Sequence, residues 1–217
     1  RSLQKREQIL DAACRKLNVL GVRGATLEDI ARDVGMNLTS IRHYFRRKDD
    51  LVAAGFLRSI DVHAQQLAPA LEAGDPPARV RALVKIYFAL RRSIREGTGP
   101  EVMIFGDLRS LDKDHAGEVW PRYIELFHLV RRIVTSPEEL AADRARANAR
   151  TYYVMSQLFR SVYWMPAFPA DMLDWVEEKF TDILFNGLKR APATPDARLA
   201  GGQADIEASN SAWESFL

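Results

Sequence analysis

The chain has 217 residues, 47% hydrophobic and 28% charged, with a formal net charge of +2. That suffices for one domain with a real core or two small ones, and no run nears the roughly 18 apolar residues of a membrane span. Cys14 is the only cysteine, which excludes a disulfide within the chain.

Helical periodicity dominates, no alternating strand pattern is convincing, and the expected fold class is all-α with about nine helices. The opening RSLQKREQIL lacks a signal peptide's apolar region, and with a single, reduced core cysteine the expected compartment is the cytoplasm. Arg1 is not an initiator Met, so further residues are expected before it. A first helix spans about 3–20, with Ile9, Ala13, Leu17 and Leu20 on its buried stripe; Cys14 shares a face with Leu10, Ala13 and Leu17. Leu27, Ile30, Ala31 and Val34 fall at i, i+3, i+4 and i+7 and define a short second helix. Thr26 is placed to cap it, with Asp29 three residues on. Gly35 follows, where a left-handed turn is needed. Asn37 caps a third helix that turns Ile41 and Phe45 into a small core.

A long fourth helix runs over 48–73, its acids Asp49 and Asp50 at the positive end, with Leu51, Phe56, Ile60, His63 and Leu67 on one side. EAGDPPA ends it. Further helices are expected over 78–95, 100–110, 115–134, 136–163 and 170–188. Ser136 caps the eighth, with Pro137 at its first position and Glu139 at its third. Pro166 and Pro169 separate the eighth from the ninth. Residues 191–217, rich in Ala, Gly, Ser, Asp and Pro, read as a mostly mobile tail whose Trp213 and Phe216 offer a docking point.

The chemistry concentrates in 26–51, TLEDIARDVGMNLTSIRHYFRRKDDL. The outer face of the third helix carries Leu38, Thr39, Arg42 and His43, flanked by Ser40 and Tyr44: short polar groups, a guanidinium and rings that suit a major groove. Lys48 is placed for a phosphate. Residues 1–48 hold 11 Lys and Arg against 5 Asp and Glu, a surplus of +6, which leaves −4 for the remainder of a chain whose total is +2. A basic head on an acidic body is a footprint for a polyanion. Two amphipathic helices joined by Gly-Met also occur in helical proteins that never touch DNA, so the pattern alone leaves both readings open.

The same residues resemble a family. KREQILDAACRKLNVLGVRGATLEDIA followed by DVGMNLTSIRHYFRRKDDLV is similar to the DNA-binding domain of the TetR family of bacterial transcriptional regulators, on Gly21, Thr26, Ile30-Ala31, Gly35, and HYF followed by Lys48 and Leu51. The resemblance covers about the first quarter of the chain. It implies that Thr26 caps the second helix and meets a phosphate, that Leu38, Thr39 and His43 read base edges, and that Ser40, Tyr44 and Lys48 grip the backbone. Arg42 stands where the family most often has a tyrosine, so its target is a phosphate or a guanine. Leu38 replaces a commonly polar residue and offers only apolar contact, and Arg47 replaces a small helix cap. The resemblance also implies a homodimer through the eighth and ninth helices, whose stripes include Tyr152, Met155, Leu158, Phe159 and Val162, and Leu173, Val176, Phe180, Ile183 and Leu184.

Helices five to eight are rich in aromatics. Phe88, Phe105, Trp120, Tyr123, Phe127, Tyr152, Met155 and Phe159, with Arg91 to meet a carboxylate, are the candidate walls of an effector pocket for a hydrophobic or aromatic small molecule, although such stripes also build ordinary cores. His43, His63, His115 and His128 form no metal-ligand spacing, no nucleophile motif is present, and neither an enzyme activity nor a cofactor is expected. The expected organisation is a helix-turn-helix DNA-binding domain over 1–47, a ligand-binding and dimerisation domain over 48–190, and the tail. The expected function is a ligand-responsive repressor on a palindromic double-stranded operator. The alternatives are a helical DNA-binding protein without small-molecule control, and a helical enzyme of the aromatic region.

Overall fold

The computed structural model describes residues 2–188, so the tail at 191–217, with Trp213 and Phe216, lies outside the described residues. Among them there is no strand, and no helix is long and apolar enough to cross a membrane. Nine α-helices follow in order: α1 Ser2–Gly24, α2 Leu27–Asp33, α3 Leu38–Tyr44, α4 Lys48–Leu67, α5 Pro76–Arg95, α6 Lys113–Val134, α7 Pro137–Ala142, α8 Arg144–Trp164 and α9 Leu173–Asn186. The number agrees with expectation but the set does not. The sixth expected helix is absent and the eighth is two.

Short-range signals set most boundaries. Gly21, at φ 70°, interrupts α1 where the expected helix stops. Asp75 caps α5 by accepting the Ala78 amide at 2.9 Å, and Pro76 fills the first position, where no amide is needed. Ser136 and Glu139 form a reciprocal box at α7, as their spacing requires. Corrections arise where a side chain or a proline intervenes. The fourth expected helix ends as an α-helix at Leu67, because Pro69 lacks the amide to continue it, and the chain tightens into a 3-10 segment, Ala68–Ala73. Asp143 splits the eighth: its backbone extends (φ −150°) and its carboxylate accepts the Arg146 amide at 2.9 Å, capping a new helix. The ninth begins as a 3-10 turn, Ala170–Met172, before α9.

The chain divides into two compact units between Met155 and Ser156, within α8. In the first, α4 lies at the centre and packs on α1, α5 and α6. Its stripe Leu51, Phe56, Ile60, His63 and Leu67 is buried throughout. Cys14 is buried beside it, and burial pushes its thiol up to about 11 against the opposing Arg58, so it stays protonated at neutral pH. In the second unit, Trp164 stacks on Phe180 at 6.2 Å and meets Phe168 edge-on, and Leu173 and Val176 are buried.

The segment 100–110, expected as a helix, instead has no regular secondary structure through 101–104, with Ile104 extended, and then forms a 3-10 segment, Phe105–Ser110. Side chains from α1 and α4 hold its backbone in place of helical bonds. Asn18 donates to the Val102 carbonyl at 2.8 Å and accepts the Ile104 amide at 2.9 Å. Ser59 accepts the Met103 amide at 2.7 Å, and Arg58 donates to the Glu101 carbonyl at 2.6 Å. Gly55 lets the strap close on α4, since a Cβ there would meet Met103 Cγ at 3.3 Å. A helix here would satisfy the same backbone groups internally but leave Asn18 and Ser59 without these partners.

His63 is 3% exposed, between the rings of Tyr87 and Phe105, and its Nδ1–H donates to the Ser59 carbonyl at 2.6 Å. Burial, opposed by that hydrogen bond and reinforced by nearby Arg91, drops its pKa to about 4. The folded protein therefore holds His63 neutral where an unfolded chain would protonate it. Stability is expected to fall as pH drops from roughly 6.5 to 4, by about 3 kcal/mol in total. Urea titrations at both pH values check this, and His63→Leu should flatten the dependence. A parent protein equally stable at both pH values would contradict it.

Candidate nucleic-acid interface

The N-terminal face is built by caps. Thr26 accepts the Asp29 amide at 3.1 Å, and Asp29 returns a carboxylate to the Thr26 amide at 3.2 Å and hydroxyl at 2.6 Å. The hydroxyl's hydrogen bond, more than any other contact, holds the Asp29 carboxyl below its ordinary range. Gly35 takes φ 63° and turns the chain. Asn37 then accepts the Ser40 amide at 2.8 Å and starts α3. Ile41 and Phe45 are buried at 0% and 4%, and they anchor α3 so that its other side faces outward. Arg6 lies over the Phe45 ring at 5.0 Å and closes that small core from the α1 side.

On the outward side, Thr26, Thr39, Arg42 and His43 are exposed, while Leu38, Ser40 and Tyr44 are half-buried. His43 meets Tyr44 edge-on at 5.7 Å. Seven residues make α3 about 10 Å long, enough for one pass along a groove. Beside it a groove of about 450 Å³ runs between Tyr44 and Ser2, Gln4, Lys5 and Gln8 of α1. Every side chain lining it can donate a hydrogen bond and none is acidic. No periodic pattern links 2–8 to Tyr44, so this α1 wall is visible only in the fold.

Lys48 is placed differently from expectation. Its Nζ donates to the Val22 carbonyl at 2.8 Å and the Ala25 carbonyl at 3.2 Å, so it clamps the α1–α2 connection to the start of α4. Arg47, despite replacing a small cap, starts α4 in extended backbone, and the Asp50 carboxylate accepts its amide at 2.9 Å.

Asp50 also accepts from His115 Nε2 at 3.2 Å, while Asp112, the cap of α6, faces His115 Nδ1 at 2.8 Å. Carboxylates only accept, so both contacts are satisfied only by imidazolium. Burial alone would lower the His115 pKa; the carboxylates of Asp112 and Asp50 together outweigh it and raise it. With the folded value above the ordinary one, the stabilisation is complete below roughly pH 6.5 and is lost as pH rises through the folded value. The stability gap between parent and His115→Gln is thus expected to shrink from pH 6 to pH 9, which paired urea titrations measure; a constant gap would exclude a protonated link.

The aromatic candidates fall into groups. Phe105 meets Tyr123 at 5.4 Å and His63 at 5.2 Å, and Tyr123 meets Trp120 at 5.7 Å. Arg91 is half-buried and near enough to influence His63. Phe127 packs on Tyr152 at 4.6 Å, but Tyr152 is 62% exposed. Phe88 and Met155 are buried in the first unit, whereas Phe159 belongs to the second. The coupling residues Asn18, Arg58, Ser59 and His115 were not found as a set from sequence. An Asn inside an amphipathic helix was the one available signal.

Comparison with known proteins places these features. Residues 9–54 match the family described as bacterial regulatory proteins, tetR family. The chain is similar to the HTH-type transcriptional regulator BetI of Yersinia pestis (strain Pestoides F), 32% identical over 87 residues. That stretch is 39% of this chain and 44% of the relative, so the chain spans less than half the length of the relative it matches. Its fold is similar to that of a TetR-family transcriptional regulator from Bordetella parapertussis 12822, with TM-score 0.69 and 21% identity over 86% of this chain and 98% of the other. It is also similar to AibR in complex with isovaleryl coenzyme A and operator DNA, with TM-score 0.68 and 18% identity over 83% and 98%.

Proposed function

We propose that this chain is a TetR-family regulator, on the match of residues 9–54 and the likeness to BetI, and that it is a ligand-responsive, cytoplasmic repressor that reads a palindromic operator as a homodimer. The observation that carries the proposal is the outward face of α3, where Thr39, Arg42 and His43 stand exposed on a helix fixed from behind by Ile41 and Phe45. Leu38, Thr39 and His43 read base edges, with Leu38 limited to apolar contact such as a thymine methyl. Thr26, Ser40 and Tyr44 hold phosphates and set the register. Lys48 holds the α1–α2 turn with two of its three N–H groups and keeps the third for the backbone.

One such helix reads only a few base pairs, so two are needed. The exposed apolar residues Tyr152, Tyr153 and Tyr163 on α8 and Ile183 on α9 support pairing with a second copy through these helices. The effector region is the aromatic set of the first unit, with Phe88, Phe105, Trp120, Tyr123, Phe127, Tyr152 and Met155 as walls and Arg91 as a polar anchor; Phe159, in the second unit, is left out of it. A hydrophobic or aromatic molecule there favours a state in which α4 no longer holds the two reading heads at groove spacing. Release by about 10²-fold requires about 2.7 kcal/mol of preference for that state.

Selection of genomic DNA fragments on the purified protein tests the proposal. The recovered fragments are expected to share an inverted repeat with half-sites about 34–36 Å apart, or a multiple of that, and sedimentation is expected to give twice the chain mass. Equal affinity for recovered and random fragments would leave a helical DNA-binding protein that reads no operator.

A further inference from the structure

At the end of α6, remote from Asp112 by roughly 33 Å of helix, the chain turns through Thr135 into α7. Between this turn, α7 and the first two turns of α8 lies a cavity of about 190 Å³, lined by Thr135, Glu139, Asp143, Arg146, Ala147 and Arg150 among others. None of these residues is assigned above to DNA or to the aromatic region.

Both acids of this cavity are already engaged. Glu139 accepts the Ser136 amide through Oε2 at 3.0 Å and an Arg150 N–H through Oε1 at 3.0 Å. Asp143 accepts the Arg146 amide at 2.9 Å. What remains uncommitted is a set of donors. The Thr135 side chain is almost wholly buried, its residue 3% exposed, and its Oγ1 has no partner. The Arg146 guanidinium makes no hydrogen bond or ion pair among the described residues. Arg150, held by Glu139 and at 3.4 Å by the Val134 carbonyl, uses only its Nη1 atom for both contacts and retains other N–H groups.

A buried hydroxyl without a partner is destabilising unless something occupies its site. The complement to a hydroxyl and two guanidinium forks is a group that carries only acceptors and a negative charge. The cavity is smaller than a drug-sized site yet roomier than one water needs. We propose that it binds a compact oxyanion, a phosphate or a short carboxylate, through the guanidiniums of Arg146 and Arg150 and the hydroxyl of Thr135. Such a ligand would tie the end of α6 to the start of α8 by charge-assisted bonds that the chain does not itself complete.

The test uses the whole chain without DNA, so its outcome is independent of operator recognition. Inorganic phosphate and acetate are titrated separately by calorimetry, with sodium chloride at equal ionic strength as control, and thermal unfolding is followed in parallel. Saturable binding of at least one oxyanion is expected, with a raised Tm that chloride does not reproduce; the anion that binds identifies the preferred group. Arg146→Gln should weaken binding about tenfold, as befits loss of one charge-assisted contact, and Thr135→Val should weaken it severalfold. Without anion, Thr135→Val should be as stable as the parent or more so, because it removes an unpartnered hydroxyl, so a lost response cannot be ascribed to misfolding. The proposal is overturned if chloride gives the same shift, if neither oxyanion saturates, or if both variants respond as the parent does.

Discussion

Arg42→Ala is expected to weaken operator binding about 10- to 100-fold, as removal of a good contact to a base or phosphate should. The side chain is exposed and makes no hydrogen bond or ion pair among the described residues, so thermal stability should stay unchanged. Salt dependence then decides what it touches. A phosphate contact predicts equal weakening on all sequences and a log–log salt slope shallower by about 0.9, whereas a guanine contact predicts loss confined to the operator with the slope retained. Gel shifts identical to those of the parent on operator and random DNA would remove α3 from the interface. Lys48→Met gives the opposite pattern. It strips two carbonyls of a charged donor, so it should lower stability by about 1–2 kcal/mol and weaken DNA binding mainly by loosening the α1–α2 turn.

The second large effect is expected inside the fold. Asn18→Leu keeps the branched shape of the side chain but leaves the Val102 carbonyl and the Ile104 amide without partners. Two such groups predict a loss of about 2–4 kcal/mol, roughly 4–16 °C in Tm for a chain of this size. Urea or thermal denaturation measures it directly. A loss below about 0.5 kcal/mol, the range of ordinary surface substitutions, would mean that the segment is held by Ser59, Arg58 and Asp11 without Asn18. On the proposed function, this segment also bears on regulation. It is tied to α1 through Asn18 and to α4 through Ser59, whose carbonyl receives His63 from among the aromatic rings. A ligand that displaced Phe105 or His63 would therefore act on bonds that hold α1 and α4 together. Asn18→Leu is expected to lower the difference in operator affinity with and without effector, even under conditions where the variant remains folded.

Much of the fold could be read from single stretches of chain. Thr26 with Asp29, Asn37 with Ser40 and Ser136 with Glu139 are caps three residues long, and all three form. The stripe of α4 is buried from Leu51 to Leu67, and Gly21 and Gly35 sit at positive φ, the first at the break within α1 and the second just past the end of α2. These features depend on contacts between neighbours three or four positions apart, and the amino-acid order determines them with little help from the rest of the molecule. The all-α class and the outward residues of α3 follow from the same local rules.

Tertiary structure decided what depends on partners distant in the chain. Residues 101–104 read as helical, but Asn18, 84 and 86 positions away from the groups it holds, gives their backbone partners outside a helix. Lys48 reads from its place at the start of the fourth helix as a phosphate ligand; only the fold brings the carbonyls of Val22 and Ala25 onto it and makes it a clamp as well. His115 became a link between α4 and α6 only because Asp50 came within 3.2 Å. The aromatic stripe was visible, but which rings are sealed and which, like Tyr152, face outward was not. Periodicity assigns a residue to a face of its own helix, and only the packing of the other helices determines what that face meets.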